Sequence, residues 1–244
     1  MCYMASLFKD EEIIEEETGR DFAIQLEYQP QYHISGFGKG NLHIITQEEP
    51  NTIYPSDWGL IPKFAFEDPD SFKKKYNTLN ARSESVFKSN TYKDSALNQR
   101  CLILVDGFFE PHHYKNKSQP YYCYLKGKPL FAFAGIYTAL DDQLFSTALI
   151  TVPANELFEK VHNKKKRMPL VLDSTFTETW IDSSNNQKHI EELMRVGFTL
   201  QEIKVHPVSN DLYKHDKETN TASILEPVPH LDPEMDDSRT SLFD

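Results

Sequence analysis

Apolar residues in this chain fall mostly into runs of strand length, separated by Gly, Pro, Asn or Asp. The runs Phe22–Tyr28, Leu42–Thr46, Arg100–Glu110, Pro120–Leu125, Leu130–Tyr137, Leu144–Val152 and Leu170–Leu172 are rich in β-branched and aromatic side chains and predict strands. Helical periodicity is scarcer. Residues 6–17 predict a short acidic helix with Leu7, Ile13 and Ile14 inward. Further helices are predicted around 153–161 after Pro153, around 174–182 after Asp173-Ser174, and over 187–196. Residues 206–225 are polar and irregular. From Glu226 the sequence turns acidic and Pro-rich without apolar periodicity, which predicts a disordered tail over 226–244. This pattern predicts one α+β domain over residues 2–225, a twisted, barrel-like and mostly antiparallel sheet with a few short helices.

Composition narrows the setting. At 244 residues the chain can bury a proper core. No apolar run approaches the roughly 20 residues that span a bilayer, and no basic stretch followed by an apolar one opens the sequence. A membrane partner is therefore not expected. The three cysteines, Cys2, Cys101 and Cys123, are odd in number and lack metal-ligand spacing, which points to free thiols in a reducing cytoplasm. Cys101 and Cys123 lie in apolar strand contexts and are expected to be buried. No cofactor and no metal are expected, since Cys2, His112, His113 and His162 show no recognisable ligand pattern. The net charge of −11 is uneven: residues 1–17 and 226–244 carry −5 each, leaving −1 for residues 18–225. That near-neutral body holds Lys73-Lys74-Lys75 and Lys164-Lys165-Lys166-Arg167, which permits a phosphate-binding face. A monomer meets every requirement of the sequence.

Candidate chemistry begins at Cys2. Removal of Met1 would leave an α-amine and a thiol on one residue, with ordinary pKa values of about 7.7–8.0 and about 8.5. Such a pair captures aldehydes, first as an imine and then as a thiazolidine ring closed intramolecularly. Four further segments stand out. Trp58-Gly59-Leu60-Ile61-Pro62 reads as a core tryptophan before a turn or as part of a groove. Asn80-Ala81-Arg82-Ser83-Glu84 offers an amide to orient a nucleophile and an Arg suited to phosphate, or a turn with a surface ion pair. In Gly107-Phe108-Phe109-Glu110 the aromatic bulk would desolvate the carboxyl and raise its pKa into a useful acid–base range, unless Glu110 is exposed. His162, before the basic loop ending in Arg167-Met168-Pro169, is a proton shuttle or an incidental surface residue.

Taken in order, these five segments resemble the SRAP (SOS response-associated peptidase) family of abasic-site processing proteins. The resemblance spans Cys2 to Pro169 and extends loosely to Val208-Ser209-Asn210. It implies binding of single-stranded DNA and covalent attachment to abasic sites, shielding them from strand cleavage. Carried over, Cys2 would be the nucleophile, and Glu110 the acid–base group for ring opening, imine formation, closure and reversal. His162 would contact the sugar and support a slower lyase activity, and Asn80 would hold the N-terminal residue. Arg82 and Arg167 would contact phosphates, while Trp58 and Pro62 would shape the groove. The implied setting is cytoplasmic, at the nucleoid through DNA.

The chain departs from the family pattern in four places. Tyr3-Met4 replace Gly-Arg after the cysteine, Pro111 replaces a Trp after Glu110, Phe64 replaces a second Trp, and His162 lies five residues before Arg167 instead of two. Two other readings stay open. One is a non-covalent single-strand binding module relying on aromatics and basic charge. The other is a thiol (auto)peptidase using Cys2, His162 and Asn80.

Overall fold

The computed structural model describes residues 2–23, 28–38, 40–141, 143–197, 201–214 and 216–236. Thirteen strands are formed among them: β1 (Met4–Leu7), β2 (Asp21–Phe22), β3 (Gln31–Ser35), β4 (Asn41–Thr46), β5 (Thr52–Trp58), β6 (Asn80–Arg82), β7 (Arg100–Val105), β8 (Gly107–Tyr114), β9 (Lys117–Leu125), β10 (Phe131–Asp141), β11 (Leu144–Pro153), β12 (Arg167–Pro169) and β13 (Ile203–Pro207). The helices are α1 (Glu11–Thr18), α2 (Pro69–Lys75), α3 (Lys93–Asn98), α4 (Glu156–Val161), α5 (Thr177–Ile181) and α6 (Gln187–Val196). The mixed α+β architecture matches the expectation. No helix among the described residues is long and apolar enough to cross a membrane.

The strands form two sheets. One runs β13-β9-β8-β1-β3, and the other β12-β11-β10-β7-β4-β5-β2 with β6 attached to β11. β11 also pairs in parallel with β5, so the pairings β5–β4–β7–β10–β11 return to their starting strand. One apolar core serves both sheets, since Ala5, Phe108 and Tyr121 from the first cluster with Ile44, Phe133 and Ile150 from the second. Each such fully buried large side chain contributes about 1.5–3 kcal/mol.

β11 is the strand on which the later site depends. Its Thr147 faces Trp58 of β5, its Leu149 faces Asn80 of β6, and its Pro153 faces Arg167 of β12. Three segments far apart in sequence are thereby hung from one backbone.

Several predicted elements differ in detail. The helix expected over 6–17 starts only at Glu11, because Ser6 and Leu7 belong to β1, between β3 and β8. Of the run Phe22–Tyr28, residues 24–27 lie outside the described residues. The run Arg100–Glu110 breaks at Asp106, which sends β7 into one sheet and β8 into the other. There the Asp106 carboxylate accepts from the Ser6 hydroxyl and the Phe8 amide. The following residue must be glycine, since a Cβ on Gly107 would sit 2.1 Å from the Tyr122 hydroxyl. Leu170–Leu172 contributes only bridge residues, Val171 and Leu172, and the neighbouring strand is Arg167–Pro169.

The disorder expected from Glu226 gives way, over residues 226–236, to a strap held along β8 and β9. The Val228 amide donates to the Pro207 carbonyl at 2.9 Å. Gln119 donates from Nε2 to the Pro229 carbonyl and accepts at Oε1 from the Leu231 amide, at 2.9 and 2.8 Å. Backbone hydrogen bonding by one buried glutamine replaces the apolar periodicity that composition lacks. Residues 237–244 lie outside the described residues.

Candidate active site

Strand register brings the N-terminus to β8. Met4 pairs with Phe109 and Ala5 with Phe108, so the antiparallel run carries residues 3 and 2 toward Glu110 and Pro111. Cys2 is wholly buried. Asn80 donates from Nδ2 to the Cys2 carbonyl at 2.8 Å, and the Tyr92 hydroxyl donates to the Asn80 carbonyl at 3.2 Å. Asn80 is thus fixed by β11 on one side and Tyr92 on the other.

Glu110 lies on the same face of β8 as Phe108, inside the shared core, and is 0% exposed. Neither carboxyl oxygen has a hydrogen-bond partner among the described residues. Burial outweighs the opposing pull of the chain's α-amine and pushes its pKa up to about 7. His162 Nδ1 stands 3.2 Å from Glu110 Oε2 and 3.0 Å from the Arg167 carbonyl. An N–H aimed at that carbonyl explains why the Glu110 oxygens remain unpaired. Burial also drives His162 down to about 4, so the imidazole is neutral near pH 7. Burial, with the nearby Glu110 charge, raises the Cys2 thiol well above its ordinary range.

His162 ends α4, whose N-cap Asn155 accepts from the Phe158 amide at 3.0 Å. The helix end is stapled to β8. Asn163 accepts from the His113 amide at 3.1 Å and donates to the His113 carbonyl at 2.8 Å. Beyond it Lys164 and Lys165 are exposed, and Lys166 adopts a left-handed φ of 49° before Arg167 enters β12. The longer spacing from His162 to Arg167 is absorbed in this pinned loop.

The remaining candidates divide. Arg82 is exposed and makes no ion pair with the described residues. Trp58 is buried, donating from Nε1 to the Leu79 carbonyl at 3.0 Å. It lines a groove of about 320 Å³ with exposed Phe37 and Tyr76 and the lysines 73–75. The chain leaves Trp58 through Gly59 at φ 126°, a conformation glycine tolerates. Pro62 is buried at the head of a 3₁₀ turn, Lys63–Ala65, that presents Phe64 to solvent.

Arg167, to which the resemblance gives a phosphate contact, has its guanidinium engaged within the protein. It is buried, its guanidinium forks onto the Glu84 carboxylate, and Nη2 also donates to Thr151 O and Oγ1 at 2.6 and 3.1 Å. These intramolecular acceptors take both terminal nitrogens of the guanidinium. Sequence reasoning missed Tyr92, Asn163 and Cys123. Asn163, adjacent to His162, was the most findable, whereas Cys123, diagonal to Glu110 on the β8–β9 pair, follows only from register.

The family model described as SOS response associated peptidase (SRAP) matches residues 1–215. Abasic site processing protein YoqW of Bacillus subtilis (strain 168) is 29% identical over 216 residues, covering 86% of this chain and 93% of that protein. Abasic site processing protein HMCES of Xenopus tropicalis is 29% identical over 176 residues, covering 62% of this chain and 51% of that protein. A crystal structure of a protein from Bacteroides thetaiotaomicron superimposes with a TM-score of 0.82 at 28% identity, over 93% of this chain and all of that one. Together with the ordered motifs gathered around Cys2, the match over residues 1–215 establishes that this chain belongs to the SRAP family.

Proposed function

We propose that this protein captures abasic sites in single-stranded DNA covalently, through the amine and thiol of Cys2 once Met1 is removed. The supporting observation is Glu110: buried, unpaired at both oxygens, 3.2 Å from His162 and acting electrostatically on Cys2. The family match and the names of its relatives favour the same substrate.

The ring-opened abasic sugar presents an aldehyde. The Cys2 amine adds to its carbon, and loss of water gives an imine. The thiol then adds across the C=N bond: sulfur bonds to carbon, and the S–H proton reaches the nitrogen by way of Glu110. A carboxyl titrating at about 7 both gives and takes protons near neutrality. The raised Cys2 thiol makes the neutral S–H the ground state, so closure needs a base in place. That same raised thiol speaks against a thiol peptidase, whose nucleophile works from a depressed pKa. Neutral His162 is suited to hydrogen-bonding the sugar, and Asn80 holds the Cys2 backbone. Exposed Arg82 and the aromatic, lysine-lined groove at Trp58 offer the strand phosphate contacts and stacking surfaces.

Intact mass spectrometry with an oligonucleotide bearing one abasic site tests the reading. The Met1-free protein should gain the oligonucleotide mass at residue 2, and Cys2→Ser should bind the strand without a stable adduct. A folded, Met1-free protein that binds yet gains no mass would replace covalent capture with non-covalent binding.

A further inference from the structure

The strap over residues 226–236 lies beyond the family match, which ends at residue 215, yet it reaches the neighbours of Glu110. On the face of β8 that carries Glu110, the next residue is His112, and both are buried. His112 bridges two elements: Nδ1 meets the Lys160 carbonyl of α4 at 2.9 Å, and Nε2 meets Asp232 Oδ2 of the strap at 2.9 Å. Across the ladder, Glu110 pairs with Tyr121, whose hydroxyl contacts His230 Nδ1 at 2.8 Å. The strap therefore grips both residues that flank Glu110 on its sheet face.

We infer that Asp232 is a positioning residue for the Glu110–His162 pair, acting through His112 and α4. Both His112 nitrogens face oxygens, so the buried ring is held at two edges, one on α4 and one on the strap. The Asp232 carboxylate, 12% exposed at its side chain, closes the second of these edges. Without it, the ring loses the partner that fixes its orientation toward Lys160. The contact to Lys160 holds the last turn of α4 against β8, two residues before His162. The strap thus couples a segment outside the family domain to the distance between the acid–base groups. Around His112 stand Asp232, the Lys160 carbonyl and the Tyr121 ring. Around His162 stand Glu110 and the Arg167 carbonyl, with the chain's α-amine, His113 and Lys165 in electrostatic range.

This inference rests on the proposed covalent capture for its effect on rate, and its test separates the two. The full chain carrying Asp232→Ala is compared with the parent by NMR titration of the His162 ring and by the rate of adduct formation at saturating abasic oligonucleotide. The His162 midpoint should rise toward the ordinary imidazole range as α4 loosens. The adduct rate should fall by roughly 10-fold, since small misplacements of reacting groups cost up to ~100-fold, while affinity for intact single-stranded DNA stays unchanged. A lower melting temperature with a parent-like His162 titration would overturn the inference and leave the strap purely structural. Should Asp232→Ala not fold, Asp232→Asn, which keeps an acceptor but drops the charge, must show a smaller shift in the same direction. No shift in that variant overturns the inference equally. A parent that forms no adduct sinks covalent capture, and the His162 titration then decides the positioning role alone.

Discussion

Asn80 holds the carbonyl of Cys2 at 2.8 Å, joining residues 78 apart in sequence and tying β6 to the N-terminal segment. Replacing it with alanine removes one buried hydrogen bond, which costs about 1–3 kcal/mol, and frees the residue that must meet the aldehyde. Asn80→Ala should slow adduct formation by roughly 10–100-fold while remaining folded. Single-turnover kinetics beside a melting curve checks this, and an unchanged rate would show that β1 alone orients Cys2.

Glu110 links chemistry to stability with opposite preferences. Its folded pKa, about 7, lies above the usual carboxylate range. Between the unfolded value near 4.3 and about 7, the unfolded chain has released a proton that the fold retains. Stability therefore falls as pH rises through that window. Glu110→Gln removes the penalty, and above pH 7 the variant should be more stable than the parent by at most about 4 kcal/mol. The gain should vanish by pH 4. The same variant should be slow in both adduct formation and reversal. Denaturation at pH 8 and pH 4 checks the sign; a variant less stable at pH 8 would mean the carboxylate is compensated in the fold.

Arg167 behaves as a pin between β12, Thr151 and Glu84. Arg167→Ala should lose about 2–4 kcal/mol of stability with little change in the salt dependence of strand binding. Urea denaturation with binding titrations at several salt concentrations separates the outcomes. Intact stability with a flatter salt slope would return Arg167 to the phosphates.

Lys164 and Lys165 are exposed beside His162, and neither joins an ion pair among the described residues, whereas Lys166 lies 3.7 Å from Glu159. Each phosphate contact on a single strand contributes about 0.7 to the slope of log affinity against log salt. The double variant Lys164→Ala/Lys165→Ala should flatten that slope by roughly 1.4, with the adduct rate at saturating DNA unchanged. An unaltered slope would place the strand elsewhere.

The strand-rich α+β class was legible because the buried runs of β4, β9, β10 and β11 are β-branched and aromatic over strand length. β5 was not, since Pro55 and three polar residues interrupt Thr52–Trp58, and Pro argues against a strand that here pairs on both sides. β6 has only three residues, too few to show any period. β1 was hidden by apolar residues that also fit a helix extending into the acidic run. At the site, the chemistry of Cys2, Glu110 and His162 was visible as residue type and motif. Their partners were not, because Tyr92, His112 and Asp232 meet through tertiary contacts that leave no local pattern.

The role of β11 has a consequence for how this sequence can change in length. Trp58, Asn80 and Arg167 are all indexed to its rungs. A single deletion inside Leu144–Pro153 would shift whatever lies beyond it by one residue, about 3.3 Å, and turn alternate side chains to the opposite face. A deletion before Leu149 would cost Asn80 and Arg167 their register together. The loop between Asn163 and Lys166 obeys the opposite rule, being anchored at both ends and bearing no ladder. Insertions and deletions among descendants of this sequence should therefore accumulate beside His162 and be purged from β11.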